Sequence, residues 1–225
     1  VHEQGFYEFL NQHAEAAAVF QAAMDDFSNN ESAAILRAYS FNETNSVVDV
    51  GSGRGALLAA IMEAHPELKG VAFDMPSAET ECTRRFASAG LSGRAAFVGG
   101  DFFRSLPQGH DLYLLKSVLH NWDDDAGARI LEVCRQAMSP TSRLLIIERV
   151  ISADQQSAEA KLFDINMLVT VGGRERTEQE YRTLLARASL VLRRSFPTSS
   201  PLAILEAALQ PADTTDVPLR RDRSD

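Results

Sequence analysis

The sequence is poor in cysteine. Cys82 and Cys134 are the only two in 225 residues, and they form no C-x-x-C pair. That excludes a zinc cluster built on thiolates and fits a reducing, cytoplasmic setting. Long apolar runs are missing too. The densest, Leu112–Leu115 and Leu144–Ile147, have the length of strands, far short of the ~20 residues a membrane helix needs. No basic n-region opens the chain, since Glu3 and Glu8 stand where a signal peptide would carry Lys or Arg. The first residue is Val1 and not Met, which reads as a fragment whose N-terminal part is missing. An excess of positive charge is also absent. Lys plus Arg is 22 against 31 Asp plus Glu, a net charge of −9. Tight binding to nucleic-acid phosphates runs on clustered cations and is excluded on that balance. The basic pair Arg220-Arg221 is too short to change it. There is no internal repeat and no low-complexity segment.

What is present is ordinary for a globular protein: 45% apolar and 24% charged residues. The length suits one large domain, or a domain with a helical appendage. Phe6–Asp26 is helical by period, Ser28-Asn29-Asn30 breaks it, and a second helix spans about Glu31–Ser40. From residue 46 short β-branched runs alternate with helices. Strands are expected at Ser46–Val50, Lys69–Phe73, Ala95–Val98, Asp111–Lys116 and Arg143–Glu148. Helices are expected at Gly55–Ala64, Ser77–Ala89, Asp124–Met138, Lys161–Val169 and Thr177–Ala188, the third with Ile130, Leu131, Val133, Cys134 and Met138 inward. Such alternation implies an α/β fold with a mostly parallel sheet covered on both faces. Two further strands, Leu190–Phe196 and Leu202–Ala207, are joined only by Pro197–Pro201. That link is too short for a parallel crossover, so they should pair antiparallel. The polar tail after Pro211 is expected to be mobile.

The first strand runs into Gly51-Ser52-Gly53-Arg54-Gly55, and a helix follows. Such a turn lets a ligand approach the backbone near helix N–H groups. Gly51-x-Gly53-x-x-Ala56 also satisfies the loose dinucleotide pattern, which alone is weak evidence. Asp49, inside the strand, could receive a ligand ammonium, and Asp74, ending the next strand, could accept two ribose hydroxyls. Asp74 would serve a nicotinamide dinucleotide equally well; Asp49 would not. The plain alternative is that Asp49 caps the loop and the glycines only make a tight turn. Asp101 follows the third strand and Gly99-Gly100, again at a carboxyl end. It could accept from an adenine amino group with Phe102 against the ring, or simply cap the turn that follows.

Taken in order, Asp49-Val50-Gly51-Ser52-Gly53-Arg54-Gly55, Asp74-Met75-Pro76, Gly99-Gly100-Asp101-Phe102-Phe103, Leu119-His120-Asn121-Trp122-Asp123-Asp124 and Gly172-Gly173-Arg174-Glu175-Arg176-Thr177 form a set. On these motifs the chain resembles the S-adenosylmethionine-dependent O-methyltransferases of the caffeate/hydroxyneurosporene type. The resemblance covers roughly residues 5–209. It implies a Rossmann-like sheet of seven strands with a reversed last strand. It also implies that S-adenosylmethionine is the cofactor, without a metal. Gly51 and Gly53 would approach its methionine part, Asp49 its ammonium and Asp74 its ribose. Asp101 and Phe102 would frame the adenine, and Lys116 matches a cofactor-contacting lysine. Asn166 and Met167 match a region lining the acceptor pocket, although helical core is an equal reading for Met167. The acceptor implied is a small aromatic hydroxyl compound. Relatives carry an N-terminal dimerisation domain, so residues 1–40 read as its trailing linker helices and 41–210 as the catalytic domain. A homodimer is then expected of the full-length protein.

Methyl transfer to a phenol needs the acceptor oxygen near ~3–3.5 Å from the methyl, in line with the departing sulfur. A phenol pKa near ~10 makes proton removal useful at neutral pH, and a histidine suits that task. His120 lies just past the fourth strand, where the family places its base. Glu148 and Glu175 match acids that could orient its ring. Asn121 stands where relatives often have Asp. Trp122 reads as a packing residue. Asp123-Asp124-Asp125 invites a Mg²⁺ reading, but acids before a helix are first its caps. An NAD-dependent oxidoreductase would explain the glycines and Asp74, but not Asp49, Asp101 and His120 together. A closer alternative keeps the cofactor and performs N-methylation, hydroxylation or a pericyclic step.

Overall fold

The computed structural model describes residues 31–151 and 173–211 and, before them, residues 9, 12, 13, 15, 16 and 19. The expected helices Phe6–Asp26 (for most of its length) and Lys161–Val169, with Asn166, Met167 and Gly172, lie outside the described residues, as does the tail beyond 211. Among the described residues no helix is long and apolar enough to cross a membrane.

Eight strands are described: β1 Ser46–Val50, β2 Lys69–Asp74, β3 Ala95–Gly99, β4 Leu112–Lys116, β5 Arg143–Ile151, β6 Arg176–Thr177, β7 Leu190–Pro197 and β8 Leu202–Leu209. The helices are α1 over 31–38, then α2 Ala56–Ala64, α3 Glu79–Ser88, α4 Asp124–Ala137 and α5 Glu178–Arg187. The sheet order is β3-β2-β1-β4-β5-β8-β7, with the two-residue β6 beside β5. β8 is antiparallel to both β5 and β7, and the other pairings are parallel. The short link at Pro197–Pro201 thus makes a hairpin, as its length requires.

Strand residues alternate between two cores. On one face Val48, Val50, Tyr113, Leu115, Leu144 and Ile146 meet Ile130, Leu131 and Cys134 of α4 and Tyr181, Leu184 and Leu185 of α5. On the other, Val47, Leu112, Leu114, Leu145 and Ile147 meet Leu57, Leu58, Ile61 and Met62 of α2, Cys82 and Phe86 of α3, and Ile35 of α1. Central strands buried on both faces read as nearly continuous apolar runs, which is why they were visible in the sequence. Along α4, Val133 is only partly buried, and Gly127 and Ala137 face inward in addition to the expected residues. The stretch expected as one helix at Ser77–Ala89 divides into a 3-10 turn, Pro76–Ala78, and α3.

The chain leaves β1 toward β2 and β3 on one side, then returns to lay β4 on the other side of β1. Where the order reverses, the loops after β1 and β4 stand at the carboxyl ends of the strands, the switch point at which open α/β folds bind ligands in a crevice. The glycine loop and the His120 segment are those two loops.

Candidate active site

The glycine loop is held by its own backbone. Gly51, Gly53 and Gly55 have φ of 71°, 55° and 72°, a region that side chains with a Cβ seldom enter. Gly51 N–H donates to Phe73 O at 2.8 Å. A Cβ on Gly51 would lie 2.8 Å from Val118 Cγ2 and 4.0 Å from Phe102 Cε1. The glycine therefore lets the loop after β1 close against the loop after β4. Asp74 fastens the same loop: Oδ2 accepts from Gly53 N–H and Oδ1 from Met75 N–H, both at 2.6 Å. Burial pushes its carboxyl above the usual range, and the two N–H donors oppose that shift.

Asp49 is 2% exposed on β1. Burial pushes its carboxyl up to about 7, Lys116 pulls it down and Asp74 adds to the rise. A carboxyl so placed waits for a positive partner. Lys116, at the end of β4, has Nζ 2.7 Å from Glu31 Oε2 of α1, an ion pair that the sequence did not signal. Asp101 caps its turn, with Oδ1 accepting from Phe103 N–H at 2.9 Å; lone pairs remain for a further donor. Phe102, Phe103 and Trp122 pack edge to face, with Trp122 4.8 Å from Phe103 and 6.2 Å from Phe102 between ring centres. Trp122 is half-buried packing, as expected.

His120 sits in a 3-10 turn, Leu119–Asn121, directly after Ser117, whose φ is 55°. Its Nδ1 lies 3.4 Å from Glu148 Oε2 and 3.5 Å from Glu175 Oε1. Burial works to lower the imidazole pKa and Lys116 helps it, but the two carboxylates prevail and hold it above 6.5. Glu148 is fully buried, and its own carboxyl is raised by burial and by Glu175, against the pull of His120. It does more than orient the ring. Its Oε1 accepts the N–H groups of Val118 and Leu119 at 3.0 and 2.8 Å and, more distantly, of His120 at 3.4 Å. One carboxylate thus fastens the backbone of the segment with Oε1 and faces its ring with Oε2. Asn121 Nδ2 donates to Ser117 O at 3.0 Å, a bond that an ionised Asp there could not make.

Three residues that the sequence named only as part of a motif complete the site. Gly173 passes so close to the His120 turn that a Cβ would stand 1.9 Å from His120 O. Arg174 N–H donates to that same oxygen at 2.9 Å. Arg176 is fully buried and bonded to Leu119 O, Trp122 O and Asp124. The acidic run divides its labour. Asp123 is the N-cap of α4, accepting from Ala126 N–H at 2.8 Å. Asp124 takes Arg176 and Arg174, and Asp125 pairs with Arg187 at 2.6 Å. Among the described residues no group of His, Cys, Asp and Glu is arranged to hold a metal ion. A mixed-charge depression of about 450 Å³ lies between α2 and α3, with Arg54 of the glycine loop in its lining. Its cations are occupied within the chain, Arg84 by Glu81 and Arg85 by Arg54 O.

Comparison with known proteins decides the lineage. The family described as the O-methyltransferase domain matches residues 1–190. The chain belongs to that family. As an O-methyltransferase domain it is 39% identical over 202 residues to the phenazine O-methyltransferase PhzM of Lysobacter antibioticus, covering 90% of this chain and 59% of the relative. The solved structure of NcsB1, an O-methyltransferase from neocarzinostatin biosynthesis in complex with S-adenosyl-L-homocysteine and 1,4-dihydroxy-2-naphthoic acid, is 35% identical. It superposes with a TM-score of 0.85 over 92% of this chain and 62% of that one. A relative with another printed chemistry, the aclacinomycin 10-hydroxylase RdmB of Streptomyces purpurascens, is 36% identical over 209 residues, 89% of this chain and 56% of its own. The chain spans about three fifths of the length of these relatives. The fold is the Rossmann-like one of methyltransferases, with a mostly parallel sheet and a reversed β8.

Proposed function

We propose that this domain transfers a methyl group from S-adenosylmethionine to a hydroxyl of a small aromatic acceptor, with His120 as general base and no metal. The observation that carries it is the half-buried ring of His120, its Nδ1 3.4 and 3.5 Å from two buried carboxylates at the carboxyl edge of the sheet. When bound, the cofactor supplies a methyl group made electrophilic by a sulfonium.

The residues present fit that cofactor. Asp49 is a buried carboxyl pushed up to about 7, suited to an ammonium. Asp74 keeps lone pairs for ribose hydroxyls beside the N–H groups it already holds. Gly51 and Gly53 leave the loop without side chains on the methionine side. Asp101 and Phe102 are proposed to meet the adenine amino group and ring, and Lys116 adds a cation near Asp49 and His120. Asn166 and Met167 are proposed to line the acceptor pocket.

His120 takes the phenolic proton on Nε2. Glu148 and Glu175 face Nδ1, fix the tautomer that leaves Nε2 basic, and stabilise the imidazolium that forms. Burial keeps water from competing for those carboxylates. A homodimer of the full-length protein and a cytoplasmic place belong to the same reading. A second reading, in which the cofactor is bound but nitrogen is methylated or another reaction performed, is favoured by the likeness to a named hydroxylase. His120 bears on the choice, because only proton removal from the acceptor needs it.

The test is His120→Ala in the full-length protein. S-adenosylhomocysteine affinity is expected to stay within a few-fold. The kcat on a neutral phenol should fall ~10²-fold or more, and an acceptor already ionised should recover much of that loss. A variant that methylates a neutral phenol at the wild-type rate contradicts the base assignment.

A further inference from the structure

Arg176 has no exposed surface and is the bulkiest of the fully buried side chains. It pairs with Arg143–Ile151 through β6, where Arg176 stands opposite Val150. Its Nη1 donates to Leu119 O at 2.9 Å and its Nη2 to Trp122 O at 2.8 Å. Its Nε reaches Asp124 Oδ1 at 2.9 Å. Leu119 and Trp122 are the two ends of the segment that holds His120 between them. A buried guanidinium that merely filled space would be replaced without loss by an apolar side chain of similar volume. This one divides its donors between two carbonyls of a single turn and Asp124. Glu148 meanwhile holds the N–H groups of the same turn from the opposite side. Neighbouring residues of the chain therefore share the work. Glu175 meets the His120 ring, and Arg176 meets the backbone beneath it.

We propose that Arg176 is a positioning residue for His120: it fixes the carbonyl side of the turn so that Nδ1 stays between Glu148 and Glu175. The inference rests on the reading of His120 as the base. The charged groups facing His120 are Glu148 on β5, Glu175 before β6 and Lys116 on β4. Those facing Arg176 include Asp124 on α4, and Tyr181 of α5 is close enough for its hydroxyl to feel Arg176, Glu148 and Glu175. If the turn loosens, His120 draws away from its two carboxylates and becomes less basic. The acid limb of the pH profile then moves to lower pH, a readout that a purely structural residue would not shift.

The experiment compares Arg176→Met, Arg176→Lys and Asp124→Asn with the wild-type full-length protein. Arg176→Met is expected to lower kcat by ~10–10²-fold, the usual scale for a misplaced catalytic group. The KM for S-adenosylmethionine should stay within about two-fold, and the acid limb should shift downward. Arg176→Lys lacks the planar fork and should fall between the two. Asp124→Asn keeps the guanidinium and should give the smallest change in the same direction, which carries the test should Arg176→Met not fold. A folded Arg176→Met or Asp124→Asn variant that loses only melting temperature, with wild-type kcat and pH profile, overturns the proposal. If His120→Ala itself turns over at the wild-type rate, the base reading fails. A dead His120→Ala beside a normal Arg176→Met refutes the positioning role alone.

Discussion

At the scale of the residue, Asp49 makes a sharp prediction. Its carboxyl is pushed up to about 7 by burial, so below that pH it holds a proton in the ligand-free protein. An ammonium ligand favours the anion and should expel that proton. Binding of S-adenosylhomocysteine below about pH 7 is therefore expected to release a proton, and affinity should rise with pH toward that value. Calorimetry in two buffers of different ionisation heat measures the release. Asp49→Asn should bind more weakly and abolish it, and an unchanged proton count in that variant would refute the assignment. His120 has the opposite requirement. It must be neutral to accept a proton, and its carboxylate neighbours hold its pKa above 6.5. The acid limb of the wild-type profile should thus lie above that of a free imidazole. Asp49 and Asp74 were legible as candidates because a charged residue in or ending an apolar strand stands out, and His120 and Glu148 through the motifs that the chain shares with its family. The backbone-holding role of Glu148 was not, since nothing local says which N–H groups a carboxylate will meet.

At the scale of the element, the site depends on two turns pressed together. Gly173→Ala would set a Cβ 1.9 Å from His120 O, so the turns must part. The expected result is a loss of kcat of ~10²-fold with a lower melting temperature; a wild-type rate would show that the turns do not need their contact. The acidic run before α4 belongs to the same level. Asp123 caps the helix and its neighbours meet arginines. Turnover is therefore expected to survive EDTA, and a chelation loss restored by Mg²⁺ would mean that the run binds metal. Thr177 shows what local chemistry can announce. It is the N-cap of α5 in a capping box with Glu180, a pattern written within four residues. β5 shows the limit. It continues past the expected end at Glu148 to Ile151, where Val150 and Ile151 pair with Arg176 and Thr177. That partner lies beyond any local window. Arg176 was hidden for the same reason, named only as one member of its motif.

At the scale of the whole molecule, two cores on a twisted sheet bring loops distant in sequence to one crevice. Asp49 and the glycine loop come from β1, Asp74 from β2, and His120 from the turn after β4. The mostly parallel sheet was predictable from the alternation with helices, and the antiparallel pairing of β7 and β8 from the short link between them. The closing of the site by the segment around Gly173 was not, because it needs a backbone contact and not a residue type. In the proposed function this machinery delivers a methyl group to oxygen. Incubating the full-length protein with methyl-labelled S-adenosylmethionine and a panel of simple and polycyclic phenols tests it most directly. Label is expected in an aryl methyl ether, formed one for one with S-adenosylhomocysteine and lost with His120→Ala. Label on nitrogen, or an acceptor altered without any label, would contradict it.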